Sequence, residues 1–245
     1  MLTVTDLVVA YPNFTLGPID LAAHAGDFVS VIGPNGSGKS TFIAGLLGLR
    51  LPDHGVCTWD GSDVARRDPD VLTRLSYVSD SPQAILDEFT AEEYWQYCRT
   101  AHEQARGEPM PEAISRAREY AALLDFPIHH PGTLSALSLG TRRKAQIIAA
   151  LMTQPQLLVL DEPFIGLDFI ASRALETVLR HVRDAGTVIV SSSHDLDLAS
   201  RLSTRLLVLY NGQAIVNSTV AGVGGHRELE AVVMSAIQDS RLAPA

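Results

Sequence analysis

The run Gly33-Pro34-Asn35-Gly36-Ser37-Gly38-Lys39-Ser40-Thr41 constrains this chain more than any other feature. It fits the pattern G-x-x-x-x-G-K-[ST], and its surroundings fit as well. The apolar residues 28–32 read as a strand leading into it. An apolar-faced helix through Phe42, Ile43, Leu46 and Leu47 follows, ending near Gly48 with Pro52 just beyond. Glycines let the backbone curl so that successive N–H groups point inward at phosphate oxygens. The helix N-terminus adds the positive end of its dipole. Lys39 supplies a point charge for β- and γ-phosphates, and the Ser40 hydroxyl is placed to ligate Mg²⁺. The nine residues are therefore expected to hold ATP with Mg²⁺.

Composition narrows the class. Of 245 residues, 46% are hydrophobic and 19% charged, which is a globular balance with ample core. A net charge of −9 lacks the basic footprint of a nucleic-acid binder, so no nucleic-acid partner is expected. Cys57 and Cys98 make no disulfide framework, and no Cys/His cluster has zinc-ligand spacing. The first residues, MLTVTDLVVAYPNF, lack the features of a signal peptide, and the apolar stretches 145–152 and 157–160 fall short of the roughly 20 residues of a membrane span. Any membrane contact is thus expected to run through partner subunits.

Strand signals appear at 2–10, 28–32, 75–78, 157–160 and 187–191. A hairpin is expected from 206–210 and 214–216 around Asn211-Gly212. Helical patterning fills 89–126, where Thr90 and Glu93 suit a capping box and a second helix covers 111–124. Further helices are expected at 140–152 and 170–185, and an amphipathic one at 228–240. Strand and helix alternate at both ends of the chain around a helix-only block. The expected fold class is α/β, a single domain whose core spans 1–84 and 141–220, with an inserted α-helical subdomain at about 85–140 and a C-terminal helix at about 226–240.

Two further strand ends carry chemistry. The run 157–160 leads into Asp161-Glu162, and in a parallel sheet ligands sit at the carboxyl ends of strands. Asp161 is expected to hold Mg²⁺ and Glu162, pointing the other way on an alternating strand, to activate or position the attacking water. The strand at 187–191 ends in Ser192-Ser193-His194, which places His194 where an imidazole can stabilise developing charge.

Together these motifs resemble the ATP-binding cassette (ABC) ATPases over nearly the whole chain. The resemblance implies a P-loop fold with a mixed sheet core and an N-terminal antiparallel β part. Ser138-Leu139-Gly140-Thr141, after Leu137, looks like the LSGGQ signature, so Ser138 and the Gly140 backbone would bind the γ-phosphate held by a second subunit. Residues 163–168 resemble the D-loop, placing Asp168 at a dimer interface. Tyr11 stands where the family has an aromatic that stacks on adenine. Asp80 replaces the usual Q-loop glutamine and is expected to contact Mg²⁺ or its waters, with Gln83 as the alternative if the loop is shifted.

The resemblance implies an ATPase that closes head to tail around two ATP molecules, as a homo- or heterodimer, and drives transport through separate membrane-spanning subunits. It implies a cytoplasmic protein held at the inner face of the membrane by its partner. Asp80, the Ser-Leu-Gly-Thr run and the segment 229–233 are similar to exporter-type drug, peptide or polysaccharide efflux ATPases. The aromatics Phe89, Tyr94, Trp95 and Tyr97 offer a groove for a partner's helix. A soluble ABC ATPase, as in iron–sulfur cluster assembly, is the alternative, and a module that binds ATP without hydrolysing it is a second one.

Overall fold

The computed structural model describes residues 1–80, 88–224 and 228–242. Its strands are β1 (Leu2–Tyr11), β2 (Phe14–Ala23), β3 (Phe28–Ile32), β4 (His54–Trp59), β5 (Ser62–Asp63), β6 (Leu75–Val78), β7 (Leu157–Leu160), β8 (Val188–Ser193), β9 (Arg205–Tyr210) and β10 (Gln213–Thr219). Its helices are α1 (Lys39–Leu46), α2 (Pro69–Leu72), α3 (Ala91–Arg106), α4 (Ala113–Leu123), α5 (Leu139–Met152), α6 (Phe169–Asp184), α7 (Leu196–Leu202) and α8 (Leu229–Leu242). Among the described residues no helix is long and apolar enough to cross a membrane.

Four short apolar strands, β3, β7, β8 and β9, form the centre because they are buried on both faces, and β6 lies half-buried at the edge. The sheet order is β10-β9-β3-β8-β7-β6, parallel from β9 to β6, with β10 added antiparallel at the edge. Alternate residues divide between two cores. Val29, Val31, Leu157, Val159, Val188 and Val190 pack toward α1 and a second, antiparallel sheet of order β2-β1-β4-β5. Phe28, Leu158, Leu160 and Ile189 face the other way, into a core shared with α4, α5 and α6. Trp95 of α3 is fully buried there, and its indole N–H donates to the Ala145 carbonyl of α5 at 3.1 Å.

The elements read from the sequence lie close to their expected bounds. Five were not read from it: β2, β4, β5, α2 and α7. The capping box forms, with the Glu93 carboxylate accepting from the Thr90 N–H at 2.9 Å. These bonds hold the Glu93 carboxyl below its ordinary pKa. At the β9–β10 turn both Asn211 (φ 47°) and Gly212 (φ 79°) take the left-handed backbone that a two-residue hairpin requires. A side chain at Gly212 would strike the Thr15 carbonyl at 2.0 Å. That close fit lets the Gly212 N–H donate to the Ser37 carbonyl at 3.1 Å, so the hairpin props the glycine-rich loop from behind.

Candidate functional site

The loop between β3 and α1 holds its shape through its own lysine. Lys39 is buried, and its ammonium donates to the carbonyls of Gly33 at 2.8 Å and Pro34 at 3.3 Å. Gly33 has to be glycine: a Cβ there would lie 2.2 Å from the Leu209 carbonyl and 2.5 Å from Ser37 Oγ. Gly36 and Gly38 take left-handed φ values of 80° and 109°, and Gly36 faces open space. Ser37 is buried, and its hydroxyl has no partner among the described residues.

A pocket of about 600 Å³ opens over this loop. Asn35, Gly36, Gly38, Lys39, Ser40 and Thr41 line one side, and Asp80, Glu162 and His194 the other, together with Phe14 and Ile165. Three separate strand ends thus deliver polar side chains to one cavity: β6 brings Asp80, β7 brings Glu162, and β8 brings His194.

Asp161 lies beneath the pocket, 1% exposed, where its carboxylate accepts from the Ser192 hydroxyl. Its N–H donates to the Val78 carbonyl at 2.8 Å, continuing the β6–β7 ladder by one residue. Glu162 then leaves that line. Its backbone is left-handed (φ 49°), a conformation costing a non-glycine residue about 1–3 kcal/mol. Its N–H is anchored at 2.8 Å on the same Ser192 hydroxyl. Since β7 stops at Leu160, strand alternation does not separate the two carboxylates; the turn at Glu162 does. The result is a bridge across the pocket, with Glu162 Oε1 3.7 Å from the Lys39 ammonium and Oε2 3.1 Å from His194 Nδ1. His194 itself is largely exposed and is followed at once by α7, capped by Asp195.

Ser192 was missed as a functional residue. Only its place at the end of an apolar strand hinted at it, because both of its contacts lie about 30 residues back in the chain.

The remaining expected site residues stand apart from this pocket's lining. Ser138 is exposed and caps α5, its hydroxyl accepting from the Thr141 N–H at 3.2 Å. Gly140 is buried because the backbone of Gly166 presses on it; a Cβ would lie 2.2 Å from the Gly166 carbonyl. Asp168 caps α6 through the Ala171 N–H at 2.8 Å. Tyr11 lies opposite Phe14 at the tip of the β1–β2 hairpin, with the Arg50 guanidinium 5.1 Å above its ring. Phe14, rather than Tyr11, reaches the pocket. Gln83 lies outside the described residues. A second cavity, about 330 Å³, lies between α3, α5 and β6 and takes in Tyr77, Tyr94, Tyr97 and His102, whereas Trp95 belongs to the core.

The family model described as ABC transporter matches residues 16–165. The chain is 28% identical over 234 residues to a putative ABC transporter ATP-binding protein of Bacillus cereus, covering 93% of this chain and 40% of that protein. The chain therefore spans well under half of that relative's length. It is also 28% identical over 225 residues to the ABC-type transporter ATP-binding protein EcsA of Bacillus subtilis, covering 90% of this chain and 88% of EcsA. Among solved structures, an ATP binding subunit of an ABC transporter superposes with a TM-score of 0.85 at 26% identity, covering 96% of this chain and 99% of that one.

Proposed function

The chain belongs to the ABC transporter family of ATP-binding proteins, and from that premise we propose that it hydrolyses ATP to drive transport through separate membrane-spanning subunits. The bridge Lys39–Glu162–His194 over the glycine-rich loop carries the reading. In it the loop's N–H groups and Lys39 receive the β- and γ-phosphates. Glu162 Oε2 takes a proton from a water aimed at the γ-phosphorus, and His194 holds that water and carboxylate in line. Phe14, which lines the pocket, offers an aromatic face on which adenine stacks, with Tyr11 opposite it at the hairpin tip.

The donors suit Mg²⁺: the Ser40 hydroxyl and the carboxylates of Asp80 and Asp161 are hard oxygen ligands, with no soft or imidazole ligand required. When bound, the ion would neutralise phosphate charge. Asp161, steadied by Ser192, and Asp80 of the pocket lining would hold it together with Ser40.

Ser138 and the N-terminus of α5 are taken to complete the pocket of a second chain. Because one chain carries both halves, a second copy suffices to build two sites. The groove of Tyr77, Tyr94 and Tyr97 beside α3 is the proposed seat of a cytoplasmic helix of the membrane subunit, which would hold this chain at the inner face. Export is the direction suggested by Asp80 and the Ser-Leu-Gly-Thr run. Co-purification from membranes tests the reading: recovery with a membrane-spanning partner supports it, and recovery with soluble partners alone sinks it.

A further inference from the structure

Arg143 is a charged residue that the hydrolysis scheme above does not use, and it is 2% exposed. It lies on α5, five residues after Ser138. Its guanidinium leaves that helix to reach the end of β6, where Nη1 donates to the Ser79 carbonyl and Nη2 to the Asp80 carbonyl. Gln146 Oε1, one turn along α5, lies 3.5 Å from Nη1. Nε is buried with no partner among the described residues. Burial pulls the Arg143 pKa below the usual guanidinium value, and the nearby carboxylates of Asp80, Asp161 and Glu162 oppose it.

Burying a guanidinium is expensive, and an apolar side chain of similar volume would fill the same space without that cost. What an apolar residue cannot do is grip two consecutive carbonyls. The planar fork of arginine fits that task, and a lysine, as a point charge, fits it poorly. The two gripped carbonyls belong to the last residues before the pocket wall. Asp80 contributes its side chain to that wall, and its backbone is fixed from α5.

We infer that Arg143 is the positioning residue for Asp80: it clamps the Ser79–Asp80 backbone, sets the Asp80 carboxylate in the pocket that Ser40 also lines, and ties the start of α5 to the wall of the chain's own pocket. This rests on the reading of the pocket as a Mg²⁺-dependent ATP site. The clamp is one-sided. Among the described residues Arg143 makes its hydrogen bonds to Ser79, Asp80 and Gln146 and none to Lys39 or the glycine-rich loop, so its removal loosens the metal side of the pocket and leaves the phosphate side intact.

The test compares wild type with Arg143→Met, Arg143→Lys, Asp80→Asn and the Asp80→Asn/Arg143→Met double variant. Affinity for a fluorescent ATP analogue is measured with and without Mg²⁺, alongside turnover and melting temperature. Arg143→Met is expected to lower turnover about tenfold and to raise the half-saturating Mg²⁺ concentration, as a misplaced positioning contact does. Its Mg²⁺-free affinity for the analogue is expected to stay within about twofold of wild type. Arg143→Lys moves the same quantities in the same direction by less, and it carries the test if Arg143→Met does not fold. Acting through Asp80, the double variant is no slower than the slower single one. An unchanged Mg²⁺ requirement overturns the inference. So does a double variant whose loss equals the product of the single losses, or a loss of Mg²⁺-free affinity matching the loss of turnover. The binding arm decides even without turnover: a wild-type chain that binds the analogue in a Mg²⁺-dependent way but does not hydrolyse ATP counts against the ATPase reading alone.

Discussion

Around Lys39 the chain buries its chemistry, and at Ser138 it leaves it in the open. Lys39, Asp161 and Ser192 are each less than a tenth exposed, Lys39 held by the carbonyls of its own loop and the other two by each other across neighbouring strands. Ser138 and Leu139 stand at the surface, and the contacts that fix them, a cap bond to Thr141 and the press of Gly166, come from the helix start and the adjoining loop. Both regions present N–H groups at a helix N-terminus, so both suit an anion. They differ in the walls: the first has carboxylates, an ammonium and an imidazole across a cavity, and Ser138 and Leu139 line neither cavity described above. In the proposed reading the Ser138 region is half of a site that a second chain completes. The difference teaches where one chain's work ends and a second chain's begins.

The largest effect separates the two regions outright. Glu162→Gln is expected to cut turnover by about a thousandfold, the scale of a lost general base, while ATP affinity holds. Undiminished turnover would remove Glu162 from the mechanism. Next comes the bare side. Gly140→Ala forces a methyl against the Gly166 carbonyl, so the α5 start and the loop at 163–168 must move apart. Hydrolysis is expected to fall about tenfold or more, with ATP affinity at the chain's own pocket unchanged. A loss of affinity there would break the distinction between the regions.

A smaller effect sharpens the prepared side. Ser192→Ala removes the hydroxyl that steadies both Asp161 and the Glu162 N–H, leaving buried polar groups without partners. It should destabilise the fold by about 1–3 kcal/mol in denaturant titration and lower turnover as well. The smallest effect lies away from both regions. His102 of α3 is kept below its ordinary pKa by burial first and by Arg106 second, against a weaker opposing bond to the Thr73 backbone. The unfolded chain therefore takes up a proton that the folded one resists. Stability falls as pH drops below about 6.5, and His102→Gln should flatten that slope in melting curves without changing ATP affinity.

The parts legible in the sequence were local. The glycine-rich loop, the apolar runs into Asp161 and His194, the Thr90–Glu93 box and the Asn211-Gly212 turn each declare themselves within a few residues. β2 was hidden because Gly17-Pro18 interrupts it. Gly17 sits at φ 100° with the Leu7 carbonyl against its α-carbon, at an irregular pairing with β1 that sequence patterning does not show. β4 was hidden because its first three residues, His54, Gly55 and Val56, are exposed and leave no apolar run, and β5, α2 and α7 by their shortness. At the site, the phosphate loop was readable, but the Ser192 link and the Arg143 clamp join residues 30 to 64 positions apart. The strand ends that meet in the pocket could be guessed from the parallel order. The left-handed backbone that aims Glu162 could not, because it follows from where β7 stops.

Complementation between two crippled chains tests most directly that the site is shared. A Lys39→Ala chain keeps the Ser138 side and loses its own pocket, and a Ser138→Arg chain does the reverse. Each alone should be nearly inactive. Mixed in equal amounts, they form dimers in which one composite site is intact, and ATP turnover should recover to roughly a quarter of the wild-type rate for random pairing of a two-fold dimer. A mixture no more active than the sum of its parts would contradict the account.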